Sequence, residues 1–169
     1  MIDVKRDAAD ATDLYERDFV RWTEEQARAI REGRFDTLDR ENLAEEVESM
    51  GRSDKRQVTS RLAVIVQHIL KQRLQPALDG PSWRSTIRTQ RKHIADLLED
   101  SPSLRGHLDA ALERAHPLGV LYAVRDTGIP EDMFQGERIT LADALGDVLD
   151  HPPRGRRGRV REESPEWLP

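Results

Sequence analysis

Between Ser53 and Leu74 the apolar residues Val58, Leu62, Ile65, Val66 and Ile69 recur three and four positions apart, the spacing that lines one face of an α-helix. This is the longest apolar stripe in the chain, and a stripe that long has to be covered by other elements. Those elements are helices too, because Val and Ile are sparse beside Leu, Ala, Glu and Arg, a mixture that disfavours an extensive sheet. Directly before it, the stretch LDRENLAEEVESMG carries a narrow stripe of Leu43, Val47 and Met50 and a dense carboxylate group, Glu41, Glu45, Glu46 and Glu48. The pattern predicts two helices back to back, 39–51 and 53–74, with Gly51 closing the first and Ser53 opening the second. In that hairpin Leu43, Val47 and Met50 pack on Val58, Leu62, Ile65 and Ile69. Helical phase turns Glu41, Glu45 and Glu48 outward and leaves Glu46 on the flank of the contact.

The remaining punctuation extends this all-α reading. Asp13 caps a first helix carrying Tyr15, Phe19, Trp22, Ala29 and Ile30, and Gly33 ends it. Asp39 caps the next. Pro76 stops the 53–74 helix, and Asp79-Gly80-Pro81 is a turn. Ser82 opens a helix with Trp83, Ile87, Ile94, Leu97 and Leu98 inward and Arg84, Arg88, Arg91 and Lys92 on the adjacent face. Ser101-Pro102 starts another helix, Pro117 begins a short one that Gly128 closes, and Thr140 caps the last. The expectation is a single-domain helical bundle of about six to seven helices over 13–150. A flexible segment precedes it at 1–12, and a disordered Arg-rich tail follows at 151–169.

Charge is segregated rather than mixed. Residues 1–51 carry 8 basic and 15 acidic side chains, 52–92 carry 10 and 2, and 93–150 carry 4 and 12. A basic middle between acidic flanks suggests internal compensation before it suggests an anionic partner. The absence of cysteine excludes disulfides, thiolate metal sites and a Cys nucleophile. No apolar run approaches the roughly 20 residues of a membrane span, and no hydrophobic signal segment opens the chain. These features point to a cytoplasmic protein without a membrane partner.

The order Tyr15, Asp18-Phe19, Trp22, then LDRENLAEEVESMG, SRLAVIVQHILK, and Gln75-Pro76, Ser82-Trp83, Thr86-Ile87 resembles the bacterial family known as Domain of Unknown Function 29. The resemblance covers roughly residues 13–98 and extends towards 128 through Tyr122-Ala123. It implies an all-helical fold and no particular activity. After Thr127-Gly128 this chain continues IPEDMF, where the family pattern has an aromatic-proline segment and a Cys-Pro-Trp-like stretch. Any role carried by that segment does not transfer.

Four readings of the polar residues compete. In the first, Glu46 pairs with Arg61 or His68 as the hairpin closes, a structural polar cluster that fixes helix register. Glu46→Ala then strands a cation, while Glu45→Ala is nearly silent. In the second, Glu46, His68, His93 and His116 supply metal ligands for a binding protein or hydrolase, since carboxylate and imidazole suit Zn, Mn or Fe. One Glu-x-x-His is present, Glu113 to His116, where helical metal bundles use paired copies. In the third, Arg154, Arg156, Arg157, Arg159 and Arg161, aided by Arg84, Arg88, Arg91 and Lys92, bind nucleic acid without sequence preference. The tail lacks interleaved aromatics for base stacking. The fourth, which the sequence favours, is a non-enzymatic scaffold or interaction module with no cofactor, meeting a protein partner or a second copy of itself. No Gly-rich phosphate loop or nucleophile elbow supports an enzyme, and no residue has a catalytic assignment.

Overall fold

The structure, a computed structural model, describes residues 13–149, with the side chain of residue 147 excepted. Six α-helices and several 3₁₀ turns make up the described residues, which contain no strand. The all-α reading is therefore met. The helices are α1 (13–17), α2 (Phe19–Glu32), α3 (Arg40–Leu74), α4 (Pro81–Asp100), α5 (Leu108–Thr127) and α6 (Leu141–Leu145). The chain divides into two compact units whose boundary falls between Ser53 and Asp54, inside α3.

In the unit that ends at Ser53, the predicted first helix is interrupted. Asp18 leaves helical geometry (φ −152°, ψ 83°), and its carboxylate accepts from the Arg21 backbone N–H at 3.1 Å, so it restarts the chain as α2. Gly33 ends α2 with φ 73°, its N–H on the Ala29 and Ile30 carbonyls, in the left-handed position its missing Cβ permits. Among this unit's described residues the buried side chains are few: Trp22, Gln26 and Ala29 on α2, and Asp39 at the start of α3. Tyr15 and Phe19 flank Trp22, the Tyr15 ring edge-on at 4.9 Å and the Phe19 ring stacked at 5.7 Å.

The predicted hairpin turn does not exist. α3 runs unbroken through Gly51-Arg52-Ser53. Gly51 is not among the glycines with positive φ, so it takes helical geometry and no left-handed cap. A helical glycine costs about 1 kcal/mol relative to alanine. The strong helix formers on both sides carry the helix across it. Leu43, Val47 and Met50 consequently belong to the same helix as Val58 and Leu62 and cannot fold back on them. Val47 and Met50 are 65% and 68% exposed.

The second unit holds the apolar core. Val58, Leu62, Ile65, Val66 and Leu70 of α3 are fully buried. They pack with Ile87, Ile94 and Leu98 of α4, with Leu108, Ala111, Leu112 and Ala115 of α5, and with Phe134, Ile139, Ala144 and Leu145. The stripe that dominates the sequence is thus the spine of this core. Three boundaries differ from expectation. α4 begins at Pro81 with Gly80 in the cap position, so Ser82 lies inside its first turn rather than opening it. Ser101-Pro102 opens a 3₁₀ turn, Pro102–His107, and α5 begins only at Leu108. Pro117 does not start a helix: it lies inside α5, which continues to Thr127. An internal proline costs about 3 kcal/mol. Here the burial of Ala115, Gly119, Val120 and Ala123 along the same helix outweighs it. Gly119 is required, because a Cβ there would stand 2.5 Å from Val66 Cγ1 and 2.9 Å from the Ala63 carbonyl oxygen. Its absence lets α5 and α3 approach backbone to backbone.

Candidate functional site

The first unit is tied by polar side chains. Asp39, only 6% exposed, accepts the Trp22 indole N–H at 3.3 Å and the Asn42 amide at 2.7 Å. Its backbone N–H donates to Gln26 Oε1 at 2.9 Å. The predicted cap residue of α3 is therefore also the hydrogen-bond partner that satisfies the buried indole. Glu46 lies half-buried, while Glu41, Glu45 and Glu48 are exposed, as helical phase required. Its partner is not a cation: the Tyr15 hydroxyl donates to Glu46 Oε1 at 2.8 Å. That hydrogen bond, together with desolvation and the carboxylate charge, pushes the Tyr15 pKa up to about 12.

The predicted cluster of Glu46, Arg61 and His68 is accordingly not assembled. Arg61 donates from Nη1 to Gln90 Oε1 at 3.1 Å and to His93 Nδ1 at 2.7 Å. Because a guanidinium only donates, His93 Nδ1 must be the acceptor. His68 donates from Nδ1 to the Val64 carbonyl at 2.9 Å, one turn back on its own helix. Burial pushes its pKa below the ordinary imidazole value, so it is neutral at pH 7. His116 donates from Nε2 to the Glu137 carbonyl at 2.9 Å. Three of the four proposed metal ligands thus spend a ring nitrogen on a local partner. Among the described residues no group of three or more His, Cys, Asp or Glu is placed to hold a metal ion.

Sequence reasoning did not find the most enclosed ion pair among the described residues. Lys71, 9% exposed, donates to Asp126 Oδ2 at 3.2 Å and lies 4.7 Å from the Trp83 ring centroid. Gln67 donates to the same oxygen at 2.6 Å, and Arg125 engages Oδ1 at 3.1 Å. Burial raises the Asp126 pKa, but the hydrogen bonds and charges of Lys71 and Arg125 outweigh it and hold the carboxyl below its usual range. Asp126 sits in the last turn of α5, where the helix dipole disfavours an anion, and these cations compensate. In the sequence, Lys71 and Asp126 are 55 positions apart with no shared motif.

The basic face of α4 borders a surface groove of about 720 Å³. Ile69, Ile87 and Val148 supply its apolar lining; Arg73, Arg84, Arg88, Arg91 and Lys92 supply positive charge, with the Asp143 carboxylate and the Gln72 amide among them. Carboxylates of the second unit meet part of this charge. Arg73 pairs with Glu137 at 3.0 Å and Asp143 at 3.4 Å. Arg84 pairs with Asp79 at 2.7 Å, and Lys92 with Asp96 at 3.0 Å. Arg91 donates instead to the Asp143 and Ala144 carbonyls at 2.8 and 2.9 Å. Hydrogen bonds from Thr140 hold the Asp143 carboxyl below its usual range. Arg154, Arg156, Arg157, Arg159 and Arg161, and the segments expected to be flexible or disordered at 1–12 and 151–169, lie outside the described residues.

Fold and polar contacts together define an all-helical protein in which a share of the charged side chains pair with one another. The model of the family described as Domain of unknown function DUF29 matches residues 14–149, most of the chain, and the chain belongs to that family. Tyr15, Trp22 and Trp83, on which the resemblance rested, are residues whose polar contacts tie the helices. No curated protein and no solved structure matches the chain. Among the described residues no helix is long and apolar enough to cross a membrane.

Proposed function

We propose that this protein is a non-enzymatic helical interaction module that docks a partner protein on the unit ending at Ser53, with the bacterial cytoplasm as its compartment. The observation that carries the reading is the exposure of Phe19, Val20, Ile30, Phe35, Val47 and Met50, each 47% or more accessible, in a unit whose described residues bury few apolar side chains beyond Trp22 and Ala29. Exposed apolar side chains gathered on one small unit are characteristic of interaction surfaces. The partner we infer is a basic amphipathic helix. Val47 and Met50 offer apolar anchors three positions apart, and exposed Glu41, Glu45 and Glu48 on the same stretch of helix supply the opposite charge. Self-association is disfavoured by the same carboxylates, which would face their own copies.

The test is a titration with a synthetic basic amphipathic helical peptide, followed by calorimetry. The double variant Val47→Glu, Met50→Glu is expected to weaken binding by about a hundredfold, and the all-acidic version of the peptide is expected not to bind. Unchanged affinity in the variant, or a stable dimer of the free protein in sedimentation equilibrium, overturns the reading.

A further inference from the structure

We propose that the groove beside α4 is a binding site for a small amphipathic anion, a carboxylate or phosphate group carried on an apolar body. Like charges crowd one face of this helix. Arg84, Arg88 and Lys92 follow one another at four-residue spacing, and Arg91 lies three positions from Arg88, so Arg88 has like charges on both sides of its face. Such spacing destabilises a helix unless each charge is compensated. Asp79 compensates Arg84, Asp96 compensates Lys92, and the carbonyls of Asp143 and Ala144 engage Arg91. Arg88, exposed at the middle of the row, has no hydrogen-bond or ion-pair partner among the described residues. The missing counter-charge has a place in the groove that Arg88 lines.

The rest of the groove is built rather than incidental. Arg91 is held by two carbonyls, and its guanidinium lies under Gly146, whose φ of 53° disfavours any side chain; a Cβ there would meet Arg91 Nη1 at 3.4 Å. Arg73 is fixed by Glu137, Asp143 and the Arg138 carbonyl. Ile69, Ile87 and Val148 line the same groove. A guanidinium fork recognises carboxylate and phosphate in two parallel hydrogen bonds, and the volume falls within the range of roughly 300–1,000 Å³ usual for small-ligand sites. The apolar lining calls for a body attached to the anion. A nucleic-acid backbone fits less well, because it needs a row of free cations, and three of the four on this face are already engaged.

Phenyl phosphate is the probe, with inorganic phosphate and phenol as its two halves, each titrated into the full chain and followed by methyl NMR. Phenyl phosphate is expected to shift Ile69, Ile87 and Val148 and to bind at least about tenfold more tightly than either half. Arg88→Gln is expected to weaken it about tenfold. Arg56→Gln makes the same charge change at an exposed α3 position that does not line the groove, and is expected to leave affinity within about twofold. Because Arg88 is exposed and unpartnered among the described residues, Arg88→Gln should melt at or slightly above the parent chain, which separates lost binding from lost folding. Equal effects of the two substitutions, no shift at the three methyl positions, or tighter binding of a short duplex DNA than of phenyl phosphate overturns the proposal.

Discussion

The two units solve the same problem, holding helices together, by different means. From Asp54 onward α3, α4 and α5 bury aliphatic side chains against one another, close enough that Gly119 admits no Cβ. Up to Ser53 the buried side chains among the described residues are one tryptophan, one alanine and a polar pair, Gln26 and Asp39, joined by hydrogen bonds. An aliphatic core gains roughly 25 cal/mol per Å² of buried apolar area whatever its direction. A polar network gains little net and requires every partner to be in place. The first unit should therefore be the less stable and the more easily remodelled of the two, which suits a docking surface.

The sharpest way to break this contrast is Trp22→Ala, expected to cost about 4 kcal/mol locally, since it removes the main buried side chain of its unit and leaves Asp39 without the indole donor. Hydrogen exchange should show α2 amides losing protection while α4 and α5 keep theirs. Equal loss in both would mean the units fold as one. Gly119→Ala is the counterpart in the packed unit and should cost about 2 kcal/mol by overpacking against Val66 and Ala63. Gly51→Ala should do the reverse. Nothing lies within 4 Å of the added methyl, so the continuous helix gains about 1 kcal/mol, whereas a hairpin would have lost stability at a left-handed cap. Urea melts of the two glycine variants should move in opposite directions.

Acid and base sharpen the contrast further. Asp126 and Asp143 have depressed folded pKa values, so their stabilisation is present above the ordinary carboxylate range and is lost as pH falls through the folded values. His68, also lowered, adds stability above about pH 6.5 that is lost on acidification. All three belong to the second unit. Tyr15 is raised, so its contribution is present below about pH 10 and lost as pH rises through about 12. Acid should loosen the aliphatic unit and alkali the polar one. In a Tyr122→Phe background, ultraviolet titration should find Tyr15 ionising near 12, and Glu46→Ala should bring it down towards 10. No downward movement would remove Glu46 as its partner.

Local signals made much of this fold legible. The stripe from Val58 to Ile69, the left-handed glycines 33 and 128 and the Thr140 capping box lie where their spacing and chemistry require. So does the outward phase of Glu41, Glu45 and Glu48, because helical periodicity is a property of the chain alone. The breaks between helices were less legible. Gly51-Arg52-Ser53 carries the residues of a turn, and Pro117 those of a helix start, yet both lie inside helices. Propensities of about 1 and 3 kcal/mol are small beside the burial gathered by a whole helix, and only the tertiary structure adds up that burial. Partners were likewise beyond reach. The flank position of Glu46 follows from its place on the helix, but whether it met Arg61, His68 or Tyr15 depended on which segment lay across from it. Lys71 found Asp126 only because α3 and the end of α5 adjoin. A sequence sets the face on which a side chain stands, while the free energy of the assembled helices decides what stands opposite.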